Sequence, residues 1–167
     1  MDFQGIYTKE LSKMKPSILF CSAGRRGRLL RNAQESLGAE CDINATDNTA
    51  TAPALYFATC EYTVPRIDAP DYVEVVLQIC KECNAKAITT LIDPEIEVLA
   101  KNRELFLANG VLPLCPADEM TARCCFDKYE MYKYCKSQGI PTPLTYHDFG
   151  EFKEGLAKGE ISFPVFM

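Results

Sequence analysis

The stretch Ser17-Ile18-Leu19-Phe20-Cys21-Ser22-Ala23-Gly24-Arg25-Arg26-Gly27 decides the fold of this chain. Its first five residues form a short apolar run that ends in small residues, a pattern typical of a buried strand. Apolar residues then recur at helical spacing from Leu29 to Leu37, and Gly38 marks the end of that helix. We therefore predict a strand, a turn that carries two arginines, and a helix.

The alternation of short strands and helices continues to about residue 115. The pattern predicts further strands at 41–47, 62–65, 85–92 and 111–115, with a helix at 70–83 and another from Asp93 as N-cap to Gly110. Short apolar strands separated by helices indicate an α/β fold, a Rossmann-like parallel sheet flanked by helices. In such sheets the functional groups gather at the carboxyl ends of the strands.

The pattern divides the chain into three parts. Residues 1–14 are predicted to be an N-terminal extension, 15–116 the Rossmann-like domain, and 117–167 the start of a second domain. That second part is predicted to contain helices at 117–123 and 126–138 and a last helix capped by Asp148. The final residues, 163–167, form an apolar, strand-like run, and a strand needs neighbours to satisfy its backbone groups. We therefore expect the chain to be the front part of a larger protein.

Composition excludes several classes of protein. The net charge of −5 and a pI near 5.0 argue against a nucleic-acid binder. No window approaches the ~18 apolar residues that a membrane span needs, and the first fifteen residues lack the apolar core of a signal peptide. These features predict a cytoplasmic protein with no membrane partner. The nine cysteines are then expected to be reduced and mostly buried, and Cys80-Lys81-Glu82-Cys83 lacks the second pair of a zinc ribbon.

The turn after the first strand is the main candidate site. Ser22 and Gly24 are small enough for a close backbone approach, the helix that follows favours an anion, and Arg25 and Arg26 add donors for carboxylate or phosphate. The turn lacks the three glycines of a dinucleotide fingerprint, although Asp47 lies roughly where a ribose-binding acid would be. The alternative interpretation, a tight turn that binds no ligand and has solvated arginines, stays open.

Two further segments could bind a ligand. Asp93 and Glu95 follow a strand and begin a helix, where they could bind an ammonium group or simply stabilise the first helical turn. Lys128 begins a helix after the sheet and could reach a polyphosphate, although a solvated surface lysine is the simpler interpretation.

The order of these segments resembles a known family. Residues 18–26, 46–47, 52–58 and 91–95, followed by Phe126-Asp127-Lys128-Tyr129, Gly139-Ile140-Pro141-Thr142-Pro143 and Phe163-Pro164-Val165, are similar to the N-terminal part of ATP-grasp ligases. The chain resembles in particular the short proteins similar to the carbamoyl-phosphate synthetase large subunit. The resemblance implies a pre-ATP-grasp domain followed by the first helices of an ATP-grasp domain.

The resemblance also implies a chemistry. Such ligases join a carboxylate to an amine through an acyl-phosphate, using ATP and Mg²⁺. It implies that Lys128 contacts ATP phosphate. It further implies that a set of residues faces the small-molecule substrates or helps to close the site: Ser22, Gly24, Arg25, Arg26, Asp47, Asp93 and Glu95.

The chain departs from the family at its end. It stops before the lysine that grips ATP, the magnesium carboxylates and the glycine-rich lid, so we expect this piece to be inactive, with no catalytic or metal-binding residue and no bound cofactor. The sequence leaves open whether the protein forms a homodimer. The alternative is a stand-alone Rossmann-like module that binds a nucleotide or dinucleotide.

Overall fold

The computed structural model describes residues 15–116 and 118–166. The predicted extension at 1–14 therefore lies outside the described residues. The chain divides into two compact units, with the boundary after Glu119. The first unit contains strands β1 Ser17–Cys21, β2 Asp42–Asp47, β3 Glu61–Thr63, β4 Ala85–Thr90 and β5 Leu112–Pro113, helices α1 Gly27–Leu37, α2 Tyr72–Glu82, α3 Asp93–Lys101 and α4 Arg103–Ala108, and a 3-10 helix Pro53–Phe57.

The five strands form one parallel sheet in the order β3-β2-β1-β4-β5. In the registers on both sides of β1, Ile18 is opposite Ile43 of β2 and Ala87 of β4. The chain builds outward from β1 to β3 and then crosses back to β4, so the strand order reverses between β1 and β4. Such a reversal opens a crevice at the carboxyl ends of the two strands. The predicted α/β fold with a parallel sheet is confirmed.

Helices cover both faces of the sheet. One apolar cluster packs α1 and the 3-10 helix on the sheet through Leu30, Ile43 and Leu55. The other includes Leu19 and Ile88 of the sheet, with Val76 and Phe106 from the covering helices. Alternate residues of one strand thus enter opposite cores, as strand geometry requires.

The structure differs from the sequence predictions in several places. The helix predicted from Asp93 to Gly110 is two helices that meet at Asn102, whose backbone N–H and side-chain amide both donate to the carbonyl of Val98, at 3.2 Å and 2.8 Å. The N-cap of α3 is Ile92, not Asp93. All nine cysteines are free thiols, but only Cys21, Cys80 and Cys83 are buried, so the prediction of mostly buried thiols is wrong.

The second unit contains α5 Glu119–Phe126, which begins at the boundary, α6 Lys128–Ser137 and α7 Phe149–Ala157. The predicted cap of α7 is confirmed: the Asp148 carboxylate accepts from the backbone N–H groups of Gly150 at 2.7 Å and Glu151 at 3.0 Å. Residues 161–166 form no strand, contrary to the prediction for 163–167. Phe163 and Phe166 of this segment are largely exposed, so their apolar character does not reflect burial within the described chain.

Candidate functional site

The candidate site lies at the carboxyl ends of β1, β2 and β4. Residue 22 follows β1, Asp47 ends β2, and Asp93 follows β4 by three residues. The backbone N–H of Leu91 donates to the carbonyl of Cys21 at 3.1 Å, which joins the end of β1 to the segment before Asp93. The sheet therefore brings two of the predicted segments together at the point where the strand order reverses.

Asp47 holds the arginine turn in place. Its Oδ2 accepts from the backbone N–H of Gly24 at 2.8 Å, and its Oδ1 accepts from the backbone N–H of Thr49 at 2.9 Å. The side chain is buried, with the residue 8% exposed. Both carboxylate oxygens are thus engaged with the backbone, so Asp47 fixes the turn rather than presenting a free carboxylate to a ligand.

The backbone of the turn is unusual. Ser22 and Gly24 both have positive φ, at 49° and 54°. This conformation suits glycine at position 24 and costs a residue with a Cβ, such as Ser22, on the order of 1 kcal/mol or more. The carbonyl of Gly24 accepts from the backbone N–H of Ala54 at 3.0 Å, which ties the turn to the 3-10 helix. The turn is therefore held from two sides.

The arginines of the turn are exposed. Arg25 and Arg26 of the turn, and Arg28 in the first turn of α1, lie on the surface, and none forms an ion pair with a described residue. Arg26 is the N-cap of α1 and gives the helix no side-chain acceptor. A helix N-terminus without an acidic cap favours an anion, and guanidinium groups bind carboxylates through paired hydrogen bonds. The turn can therefore bind an anionic group.

Gly27 lets the 3-10 helix approach α1 closely. A Cβ at this position would lie 2.5 Å from two ring carbons of Phe57. The guanidinium carbon of Arg31 lies 4.6 Å from the centre of the same ring. Phe57 thus fills the space that glycine leaves and positions one arginine of α1.

The turn after β4 divides its two acids between the surface and the interior. Asp93 is exposed at the start of α3, whereas Glu95 is 0% exposed. The Glu95 carboxylate accepts hydrogen bonds from the hydroxyls of Tyr72 and Thr90. In this conformation only Asp93 can meet a ligand, and Glu95 ties α3 to the first residue of α2 and the last residue of β4.

Two buried groups beside Glu95 were not predicted as site residues. Burial, with the nearby Glu95 carboxylate, raises the pKa of the Cys21 thiol well above its usual value. Burial, followed by Cys21 and Glu95, raises the pKa of the Tyr72 phenol. Both groups therefore stay protonated at neutral pH. Tyr72 belongs to the apolar face of an amphipathic helix, so its spacing in the sequence carries no signal of this polar contact.

Lys128 lies in the second unit, at the first position of α6. The helix is capped by Asp127, whose carboxylate accepts from the backbone N–H groups of Tyr129 at 2.9 Å and Glu130 at 3.0 Å. Those hydrogen bonds lower the pKa of Asp127, and the bond from the N–H of Glu130 has the larger effect. The exposed Lys128 ammonium donates to the carbonyl of Cys125 at 3.3 Å. Contact of Lys128 with ATP phosphate remains a prediction.

Residues 15–116 and 118–166 contain no group of three or more His, Cys, Asp or Glu side chains that could hold a metal ion. Within the same residues, no helix is both long enough and apolar enough to cross a bilayer.

Comparison with known proteins gives a family and a fold. Residues 18–114 match the family described as PylC-like, N-terminal domain. No curated protein sequence matches the chain.

Three solved structures share the fold. N5-carboxyaminoimidazole synthetase from Staphylococcus aureus, complexed with ADP, has 15% identity and a TM-score of 0.58 over 87% of this chain and 37% of its own. The biotin carboxylase domain dimer of Hydrogenobacter thermophilus 2-oxoglutarate carboxylase, in complex with MgADP, ADP and bicarbonate, has 21% identity and a TM-score of 0.57 over 89% and 33%. Glycinamide-RNase-transformylase T from Mycobacterium tuberculosis has 18% identity and a TM-score of 0.56 over 77% and 37%. The chain thus spans 33% to 37% of the length of these proteins.

Proposed function

Because the chain belongs to the family of PylC-like N-terminal domains, we propose that it is the substrate-binding N-terminal part of an ATP-dependent carboxylate–amine ligase of the ATP-grasp type. The family's description and the shared fold with a synthetase complexed with ADP support this proposal. The expected resemblance to the N-terminal part of an ATP-grasp ligase is confirmed at the level of family and fold.

The observation that carries the proposal is the arginine turn. Arg25 and Arg26 of the turn, and Arg28 in the first turn of α1, are exposed and form no ion pair with a described residue. They lie next to the point where the strand order reverses, in a chain whose net charge is −5. Asp47 fixes the backbone of this turn through two hydrogen bonds. A rigid turn that carries unpaired guanidinium groups suits a substrate carboxylate, because less conformational freedom is lost on binding.

The remaining residues then take distinct roles. Arg25 and Arg26 would bind the carboxylate, with Ser22 and Gly24 allowing its close approach. Exposed Asp93 would bind the ammonium form of the amine. Asp47 and Glu95, which the sequence placed among the substrate contacts, would act as positioning residues because their oxygens are already engaged. Lys128 would contact a phosphate of ATP.

The reaction follows from the class of ligase. ATP supplies a phosphoryl group to a carboxylate oxygen, which gives an acyl-phosphate and ADP. The ammonium first gives one proton to solvent. The resulting neutral amine attacks the acyl carbon, the bond from that carbon to the phosphate oxygen breaks, and phosphate leaves as the nitrogen gives up a second proton. None of these steps is assigned to a metal held by the described residues, which contain no group of three or more potential ligand side chains. We propose that the complete protein uses ATP and Mg²⁺, that this piece alone is inactive, and that the protein is cytoplasmic.

Titration of the 167-residue chain with small carboxylates and amino acids, followed by NMR of the backbone amides, tests the proposal. We expect the amides of residues 22–27 to shift, and we expect Arg26→Ala to weaken binding by about tenfold or more, as the loss of a charge-assisted hydrogen bond implies. Arg66→Ala, which removes an exposed arginine paired with Asp68, is the matched control and should leave binding unchanged. NAD binding at the same turn, tighter than that of any carboxylate, would instead favour the dinucleotide-binding module.

A further inference from the structure

Within residues 15–116 and 118–166, strand β3 forms one edge of the sheet, and part of its backbone has no partner strand. In its ladder with β2, the carbonyl of Cys60 accepts from Ala45 at 3.1 Å and the N–H of Val64 donates to Asp47 at 3.0 Å. Because alternate residues of a parallel strand bond to one neighbour, the backbone groups of Glu61 and Thr63 face away from β2. This edge can therefore accept a further strand.

A groove of about 830 Å³ runs along this edge, between β3 and one face of α2. Tyr62 and Val75 are half-buried and give the groove apolar surface. The helix and its N-cap residue contribute polar side chains at helical spacing, namely Asp71 at the cap and Glu74, Gln78 and Glu82 in the helix. All three residues of β3 line the groove.

The charge of the groove is strongly one-sided. Four carboxylates line it, those of Glu61, Asp71, Glu74 and Glu82, against the single ammonium of Lys81. None of the four forms an ion pair with a described residue. Glu82 accepts a hydrogen bond from Gln78 at 3.1 Å. Burial, with smaller contributions from Cys83, Cys60 and Glu82, raises the pKa of Tyr62 to about 12.

A short edge strand with a charged residue is also a common way to prevent unwanted pairing. Glu61 alone would serve that purpose. Edge protection does not account for the three further carboxylates on the helix side of the groove, those of Asp71, Glu74 and Glu82. These carboxylates make the electrostatic potential in the groove negative. The unpaired backbone and the helix carboxylates together specify one kind of occupant.

We propose that β3 and α2 form a docking groove for an extended, basic peptide segment of a partner protein. The segment adds to the sheet beside β3 through the backbone of Glu61 and Thr63, and its lysine or arginine side chains face the carboxylates of α2. This groove is separate from the candidate site at the carboxyl ends of β1, β2 and β4, and the proposed interaction does not depend on the proposed ligase function.

The test uses the 167-residue chain and a fluorescein-labelled peptide of alternating lysine and valine, KVKVKVK, in a fluorescence anisotropy titration. The account predicts saturable binding that weakens with salt, and no binding of EVEVEVE. A KVKVKVK peptide with alternate backbone nitrogens methylated keeps its charge but loses donors, so it should bind at least about fivefold more weakly. Thr63→Pro, which removes an outward N–H, should have a similar effect.

The matched charge variants are Glu74→Lys, in the groove, and Glu104→Lys, on the exposed surface of α4. Both change the net charge equally, and only Glu74→Lys should reduce binding, by about fivefold or more. Circular dichroism shows whether each variant is folded. If Thr63→Pro does not fold, the comparison of the methylated and unmethylated peptides still tests the proposal. Equal binding of the methylated and unmethylated peptides, or equal losses for the two lysine variants, would overturn the proposal.

Discussion

Replacing Asp47 with alanine should destabilise the first unit substantially. The variant loses two hydrogen bonds from backbone N–H groups to a buried carboxylate, at 2.8 Å and 2.9 Å. Hydrogen bonds to charged groups each contribute about 1.5–3 kcal/mol. Because Thr49 is exposed, its N–H can bind water in the variant, whereas the half-buried N–H of Gly24 is less accessible. We therefore expect the free energy of unfolding to fall by about 2–4 kcal/mol.

Urea unfolding followed by circular dichroism measures this loss. Asp71→Ala is the matched control, because Asp71 is exposed and its side chain makes no cap hydrogen bond to α2, so only its attraction to the helix dipole is lost. That change should cost less than about 1 kcal/mol. Equal losses for the two variants, or a loss below about 1 kcal/mol for Asp47→Ala, would refute the view that Asp47 holds the turn.

Three further predictions follow from single contacts. Gly27→Ala should destabilise the first unit by about 1–3 kcal/mol, because its Cβ would clash with the Phe57 ring, and Phe57→Ala in the same chain should recover part of the loss; simple additivity in urea unfolding would contradict this. The pKa of Tyr62 is raised to about 12, so the folded state holds this proton more tightly than the unfolded state does, and the resulting stabilisation is present below about pH 10 and lost as the pH rises towards 12. In an ultraviolet titration of tyrosine ionisation, Tyr62→Phe should lack the component that titrates near pH 12 in the original protein. If it instead lacks a component near pH 10, the pKa of Tyr62 is not raised. Exposed Cys60 and Cys125 should react rapidly with a thiol reagent in the native chain, whereas Cys80, whose pKa burial raises to about 12, should react only after unfolding; mass spectrometry of labelled peptides checks this, and fast native labelling of Cys80 would contradict it.

Local pattern predicted the elements whose structure depends on local physics. The run from Ser17 to Cys21 and the helical spacing up to Leu37 gave β1 and α1, because burial on a sheet and on one helix face leaves a periodic signal. The Asp148 cap of α7 was also predicted, because an aspartate before a helix bonds the first free N–H groups. Asp127 caps α6 in the same way, although no cap was predicted there.

Contacts between distant segments could not be predicted in this way. The spacing of Asp47 from Gly24 suggested a ribose ligand, and only the fold shows that its oxygens bond the backbone. The sequence indicated that Glu95 could bind an ammonium group or stabilise the first helical turn, and its burial depends on Tyr72 and Thr90 approaching from other elements. The break at Asn102 also left no mark in the apolar pattern, which continues through both helices.

The measurement that tests the ligase proposal most directly is ATP-dependent phosphate release. It would compare the 167-residue chain with a longer protein in which an ATP-grasp portion follows residue 167, each supplied with Mg²⁺ and a panel of small carboxylates and amines. We predict no release above background from the 167-residue chain, and carboxylate-dependent release from the longer protein that Arg26→Ala reduces. Release by the 167-residue chain at a comparable rate, or none from a well-folded longer protein with any substrate pair, would contradict the proposal.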